Sequence, residues 1–417
     1  MRILFLAQRV PFPPNCGVKI PTYHYIRRLA HDHDVTVMCL ANGRADLANA
    51  PGLATWAKDV EAVPLSRTSK LRALAALAGT RPLTVAAFDE PELRRRVHRR
   101  IKAGEFDLAF VFSSGMASFV EPFADLPRVI QFADLDSLKW RQYAATSRPP
   151  MRWVYATEAE RILAYERQIA TTFTRSLVCS PRECDDFKRL IPDATVECLP
   201  NGVDLEYFRP APPAAKRPDS LVFTGVMNYK PNVDGMVWFC REILPQVRAE
   251  VPGATLTICG SSPDKTVLAL GKEPGVTVTG AVPDVRPYLD EASAAVVPLR
   301  LARGIQNKLL EAMAAGLPCV ATTAAWAGIE AERGRDLLVA DEPAAFAAAV
   351  VRLLRDRQLR EQIGAAGRAA VEAGYRWERT LTRLAAVVEE AAVSGACERP
   401  GRGENQGVHT PRSPVGA

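Results

Sequence analysis

A chain of 417 residues with 53 Lys+Arg against 47 Asp+Glu carries a formal charge of +6, with 48% hydrophobic and 24% charged residues. That length accommodates two domains or one large α/β domain, and the composition excludes a wholly disordered chain and a polytopic membrane protein. Nine scattered cysteines, with no CxxC pair and no Cys/His cluster at metal spacing, bring in neither a disulfide framework nor a zinc site.

The apolar run at residues 3–7 stops at Gln8 and Arg9, too short for a signal peptide or a membrane span, so the cytoplasm is the expected compartment. Short apolar, β-rich runs follow at residues 2–7, 35–40, 60–65, 107–112, 128–132, 176–179 and 195–199, and read as buried parallel strands. Residues 20–30 and 158–171 carry apolar positions at helical spacing between them, which describes a doubly wound sheet. Pro210, Pro212, Pro213 and Pro218 then break the pattern. It restarts with strand-like runs at 221–224, 255–259, 276–279, 294–298, 318–321 and 337–340. The reading is two Rossmann-like α/β domains, residues 1–207 and 220–374, joined by a proline-rich linker at 208–219. One continuous large sheet is the alternative. Residues 377–392 read as a helix, and residues 394–417, rich in Gly, Pro and Ser, as a tail with too little apolar surface to order itself.

Two such domains face each other across a cleft lined by the carboxyl ends of their strands, where open α/β sheets bind ligands. After the first strand, the loop from Pro11 through Gly17 to Lys19 leads into a helix; it lacks both the dinucleotide and P-loop glycine spacings, and an ordinary turn explains it as well as a site. The segment Arg303-Gly304-Ile305-Gln306-Asn307-Lys308-Leu309-Leu310-Glu311 says more. A diphosphate at the helix start near Gln306 would meet free backbone N–H groups from the Gly304 turn, with Lys308 one turn in. Glu311, near the next turn, could accept two hydrogen bonds from a ribose diol. A capped helix with solvated charges is the plainer reading.

Asn201-Gly202-Val203-Asp204, Phe223-Thr224-Gly225 and Lys308-Leu309-Leu310-Glu311-Ala312-Met313-Ala314-Ala315-Gly316 with Pro318 together resemble glycosyltransferase family 4, of the GT-B fold, over about residues 1 to 393. Within it, residues 303–308, Asp134-Leu135-Asp136-Ser137 with Lys139-Trp140, and Met227-Asn228-Tyr229 with Pro231-Asn232 look like the exosortase (PEP-CTERM)-associated sugar transferases of exopolysaccharide systems. The resemblance implies a retaining, metal-independent glycosyltransferase with no cofactor beyond its nucleotide-sugar donor. That donor would lie mainly on the second domain and the acceptor on the first, with residues 375–393 crossing back onto the first domain.

Departures from the family shape the assignment of roles. Many members carry Glu-x7-Glu at the donor site; here Arg303 stands eight residues before Glu311. Val226 follows Gly225 where many members have Arg, which leaves Lys230 for the phosphates and suggests that Arg303 replaces the missing cation on the departing diphosphate. The family's histidine after the fifth strand is absent, and Asp134 is the candidate for its place, with Asp136 either its support or a helix N-cap. Asp134-x-Asp136 also has the form of the metal-binding DxD of the GT-A fold. Against that stand the second set of strands and the Glu311 helix.

The expected machinery is therefore Asp134, Arg303 and Lys308 as catalytic residues and Lys230, Gly304, Ile305, Gln306, Lys308 and Glu311 on the donor, with Gly17, Lys19 and Asp136 on the acceptor or sugar side. His24 could touch substrate or be a plain helix histidine. Arg67 to Lys102 holds ten Lys/Arg against three Asp/Glu, with Leu93, Val97 and Ile101 at helical spacing. That suits a peripheral contact with an anionic membrane surface, where a polyprenyl-linked glycan acceptor would sit, or a solvated face. No aromatic interleaving accompanies the charge, so nucleic acid is not an expected partner. A GT-B nucleotide-sugar epimerase and an inactive nucleotide-sugar-binding protein are the competing functions.

Overall fold

The structure is a computed structural model that describes residues 1–66, 68–212 and 216–397. The first domain is a seven-stranded sheet of β1 (Arg2–Ala7), β2 (Asp34–Ala41), β3 (Asp59–Pro64), β4 (Leu108–Phe112), β5 (Arg128–Gln131), β6 (Arg175–Val178) and β7 (Val196–Cys198), in the order β3-β2-β1-β4-β5-β6-β7. The second has six strands, β8 (Ser220–Thr224), β9 (Thr255–Cys259), β10 (Val276–Gly280), β11 (Ala294–Val297), β12 (Cys319–Ala321) and β13 (Leu338–Val339), in the order β10-β9-β8-β11-β12-β13. Every pairing is parallel. Parallel sheets need helices on both faces, which is why β4, Leu-Ala-Phe-Val-Phe, is buried along its whole length. Strand order reverses between β1 and β4 and again between β8 and β11, and each reversal opens a crevice at the carboxyl ends of the strands.

The chain leaves the first domain and returns to it at adjacent points. Val203 N donates to Tyr375 O at 2.8 Å, and Val203 and Arg376 form a parallel bridge. The helix Trp377–Cys397 then lies on the first domain, with Leu384, Val387, Val388 and Ala391 fully buried in its core. This helix includes residues 394–397, so the expected tail begins later than position 394; residues 398–417 lie outside the described residues, as do residues 213–215 of the proline-rich linker. Gly316, at φ +66°, follows the helix Asn307–Ala314, and Pro318 precludes its continuation.

Candidate functional site

On the second domain, the helix Asn307–Ala314 starts in the crevice after β11, and its amides are not capped by a side chain. Lys308 Nζ donates to Asn232 Oδ1 at 3.0 Å and lies 5.4 Å above the Phe223 ring; Asn232 Nδ2 donates in turn to Val226 O at 2.9 Å. Glycine is needed beside them, because a Cβ on Gly225 would sit 2.8 Å from Asn232 Nδ2 and 3.2 Å from Lys308 Cε. Burial pulls the Lys308 ammonium down to about 8, though Glu311 works against that shift. Burial pushes the Glu311 carboxyl up to about 7, with Lys308 opposing. Among the described residues no protein group donates a hydrogen bond to the Glu311 side chain, which leaves its oxygens available to a ligand.

On the first domain, the turn after β5 presents Asp134. Ala133 takes φ +63°, and Asp134 N donates to Phe132 O at 2.9 Å. Burial raises the Asp134 carboxyl above the usual carboxylate range, Asp136 adds to the shift, and Lys139 and Arg303 oppose it. Asp136 makes no cap hydrogen bond. It accepts from Ser114 Oγ at 2.6 Å and pairs with Lys139, so this carboxylate of the Asp134-x-Asp136 pair is engaged by the protein. Burial disfavours the Lys139 cation, but Asp136 and Asp134 outweigh that and raise it. Behind them, Glu166 is fully buried and pushed up to about 8 by that burial.

The two halves touch. Gly304, at φ +57°, faces Asp134 and Cys179 so closely that a Cβ there would fall 2.1 Å from Asp134 Oδ1 and 2.9 Å from Cys179 Sγ. Beside this contact, Gln306 Nε2 donates to Arg303 O at 2.8 Å. Arg303 is placed otherwise than the sequence suggested. Its Nε lies 2.9 Å from Glu183 Oε1, and its Nη2 lies 2.7 Å from the same oxygen and 2.5 Å from Asp186 Oδ2, with the side chain 13% exposed. A guanidinium held by two carboxylates is not available to a diphosphate; it bridges the domains instead. Lys230 is also used across the boundary, with its ammonium 4.6 Å over the Tyr143 ring and 5.5 Å over the Tyr155 ring.

Other expectations need correction. Lys19, assigned to the acceptor side, is buried and donates to Asp46 Oδ1 at 2.5 Å and to Phe12 O at 3.3 Å, so it anchors its own loop. Gly17 stands in open space at the surface, with nothing that a Cβ would meet. His24 stacks on Trp377 at 4.2 Å, and burial pulls it down to about 4. In the helix Pro91–Lys102, Leu93 and Val97 are fully buried in the first domain's core, so the apolar stripe is not free for a membrane. Four of its five arginines are matched by acids: Arg94 with Asp89, Arg95 with Glu92, Arg96 with Glu61 and Glu92, Arg100 with Asp59, Glu61 and Glu105. Exposed apolar surface lies instead on the helix Ser69–Ala76, at Leu71 and Leu74, and at Leu77 just after it. Arg161 pins that helix by donating to Ala76 O and Leu77 O. A cavity of about 510 Å³ lies apart from the cleft, at the hinge beside His24, Arg27, Asp204, Glu206 and Arg376.

The sequence reading missed Glu183, Asp186, Asn232 and Tyr143. A usable signal existed for the first two: acids three apart in Pro-Arg-Glu-Cys-Asp-Asp, on a helix opening directly after β6, put two carboxylates on one face at the cleft.

Residues 218–356 match the family model described as Glycosyl transferases group 1. The chain is 33% identical over 219 residues to the GDP-mannose-dependent alpha-(1-6)-phosphatidylinositol monomannoside mannosyltransferase of Mycobacterium tuberculosis, across 46% of this chain and 56% of that protein. It thus spans about half the length of the curated relatives it matches. Sucrose-phosphate synthase from Thermosynechococcus elongatus superposes with a TM-score of 0.71 at 17% identity, over 94% of this chain and 100% of that one. Anabaena Alr3699/HepE, solved in complex with UDP and glucose, gives 0.67 at 16% identity over the same shares. These likenesses show that the fold is GT-B.

Proposed function

We propose that the protein is a glycosyltransferase that moves a sugar, with retention and without a metal, from a nucleoside diphosphate donor to a glycan or lipid-linked glycan. One observation carries the reading: an uncapped helix start flanked by half-buried Lys308 and an unengaged Glu311 lies on one side of the cleft, and a desolvated carboxyl, Asp134, lies on the other. The helix amides and Lys308 hold the diphosphate, and Glu311 holds the ribose. The bond from the anomeric carbon to the diphosphate breaks as the acceptor oxygen bonds to that carbon; Asp134 takes the acceptor's proton, or orients the sugar while the departing diphosphate oxygen takes it. Lys230 reaches the phosphates by leaving the Tyr143 face.

Support for the donor class comes from the group 1 match and from relatives named for GDP-mannose or solved with UDP. The subgroup motifs at residues 134–140 and 303–308 support a place in exopolysaccharide or other cell-surface polysaccharide synthesis, on the cytoplasmic face of a membrane. No helix among the described residues is long and apolar enough to cross a membrane. Contact with an anionic bilayer, and with a polyprenyl-linked acceptor in it, falls to the Leu71, Leu74 and Leu77 ridge rather than to the paired arginines. Incubation with radiolabelled GDP-mannose, UDP-glucose and other nucleotide sugars plus a membrane extract tests the reading. Label passed to lipid or glycan supports it; an isomerised sugar indicates an epimerase, and binding without turnover indicates an inactive binder.

A further inference from the structure

Glu183 is 1% exposed and uses both of its oxygens on different parts of the cleft. Oε1 takes Arg303 Nε at 2.9 Å and Nη2 at 2.7 Å from the second domain, while Oε2 takes the Leu135 backbone N–H at 3.0 Å from the first. Leu135 directly follows Asp134, and Arg303 directly precedes Gly304. The residues flanking the close contact between Gly304 and the Asp134 turn are thus gripped by a single carboxylate. The grip itself is fixed, because Ser180 Oγ caps the helix Pro181–Leu190 by accepting from Glu183 N at 3.2 Å. What it grips is not self-supporting: Ala133 sits in the left-handed region that favours glycine, and Gly304 can approach Asp134 only because it lacks a Cβ.

We propose that Glu183 is a positioning residue, which on domain closure sets the Asp134 turn and the Arg303–Gly304 loop in register. Asp186 is the lesser partner: it holds Arg303 at 2.5 Å but has no bond to the Asp134 turn. In the open state the Glu183 carboxylate keeps only Leu135; closing adds the guanidinium, and the turn and loop arrive together. The assignment rests on the glycosyltransferase reading for its catalytic meaning, whereas the grip can be tested without it.

Cys179 provides that independent readout. Its thiol is 3.9 Å from Asp134 Oδ1 and covered by Gly304, so withdrawal of the loop uncovers it. Cys319, fully buried in the second domain's core, reports general unfolding. Alkylation by N-ethylmaleimide, mapped by peptide mass, is compared in wild type, Glu183→Gln and Asp186→Asn, alongside kcat and donor KM with UDP-glucose and GDP-mannose. Losing a hydrogen bond to a charged partner speeds Cys179 labelling by about tenfold in both variants, with Cys319 unchanged. Glu183→Gln lowers kcat by about 10²-fold with donor KM within about twofold, and Asp186→Asn lowers it by about tenfold. Unchanged Cys179 labelling, Cys319 labelling that rises in parallel, or equal kcat losses in the two variants would each overturn the proposal. If the wild type turns over no donor, the glycosyltransferase reading fails, and the labelling alone decides whether Glu183 couples loop and turn.

Discussion

The contact between Gly304 and Asp134 can be broken by one methyl group. Gly304→Ala carries two separable penalties. The first is conformational: alanine at φ +57° costs about 1 kcal/mol, and it does so whether the cleft is open or shut. The second exists only on closure. A Cβ placed 2.1 Å from Asp134 Oδ1, where ordinary contact starts at 3.4 Å, asks the loop or the Asp134 carboxylate to give way by about 1.3 Å. Misplacement by about 1 Å at a reacting centre costs on the order of 10²-fold in rate. Gly280 supplies the control, since it has φ +71° with nothing within 4 Å, so Gly280→Ala meets the first penalty alone. Steady-state kinetics and thermal melts on the two variants should show similar small losses of Tm but a kcat/KM deficit of about 10²-fold for Gly304→Ala against a few-fold at most for Gly280→Ala. Equal kinetic losses would refute the closed-cleft geometry as the working arrangement.

Donor binding should have a narrow pH window. Glu311, raised to about 7, is a carboxylate able to accept a diol only above that pH, while Lys308, lowered to about 8, is a cation only below it. UDP or GDP affinity, followed by calorimetry, should therefore peak between about 7 and 8 and fall on both sides; Glu311→Gln should remove the acid limb. The buried Lys19–Asp46 pair predicts that Asp46→Asn lowers unfolding free energy by about 3 kcal/mol in a urea titration, since it leaves a buried ammonium unpaired. Replacing both Leu71 and Leu74 with Ser should weaken binding to anionic liposomes in a flotation assay. Reversing Arg94, Arg96 and Arg100 should instead lower Tm, because their acid partners lose their counter-charges.

Apolar runs made the strands readable, because a strand buried on both faces has no polar alternation to obscure it; β1, β4 and β11 show this. The helix that carries Lys308 and Glu311 was readable for a local reason, since its start after Gly304 and its closing Gly316 fall inside a single window. Arg303 was misassigned because its partners lie 117 and 120 residues away in the chain and meet it only when the domains dock. The helix Pro91–Lys102 failed differently. Its period correctly marks one apolar face, but periodicity cannot tell a core from a bilayer, and the acids that absorb its charge come partly from β3, at Asp59 and Glu61. Lys19 is a third case: a lysine in a cleft-side loop invites a ligand role, yet Asp46, 27 residues on, had already claimed it.

The adjacent crossings at Val203 and Arg376 make the second domain an insertion into the first. It is one unbroken stretch and can complete its core by itself, whereas the first domain is assembled from two distant stretches and lacks Leu384, Val387, Val388 and Ala391 until the final helix docks. The order of folding can therefore run against the order of the chain: the half carrying Lys308 and Glu311 has its whole core in one stretch, and the half containing β1 waits for the final helix. Truncation ahead of Trp377 would for the same reason unfold the domain that lies farthest from the cut in sequence.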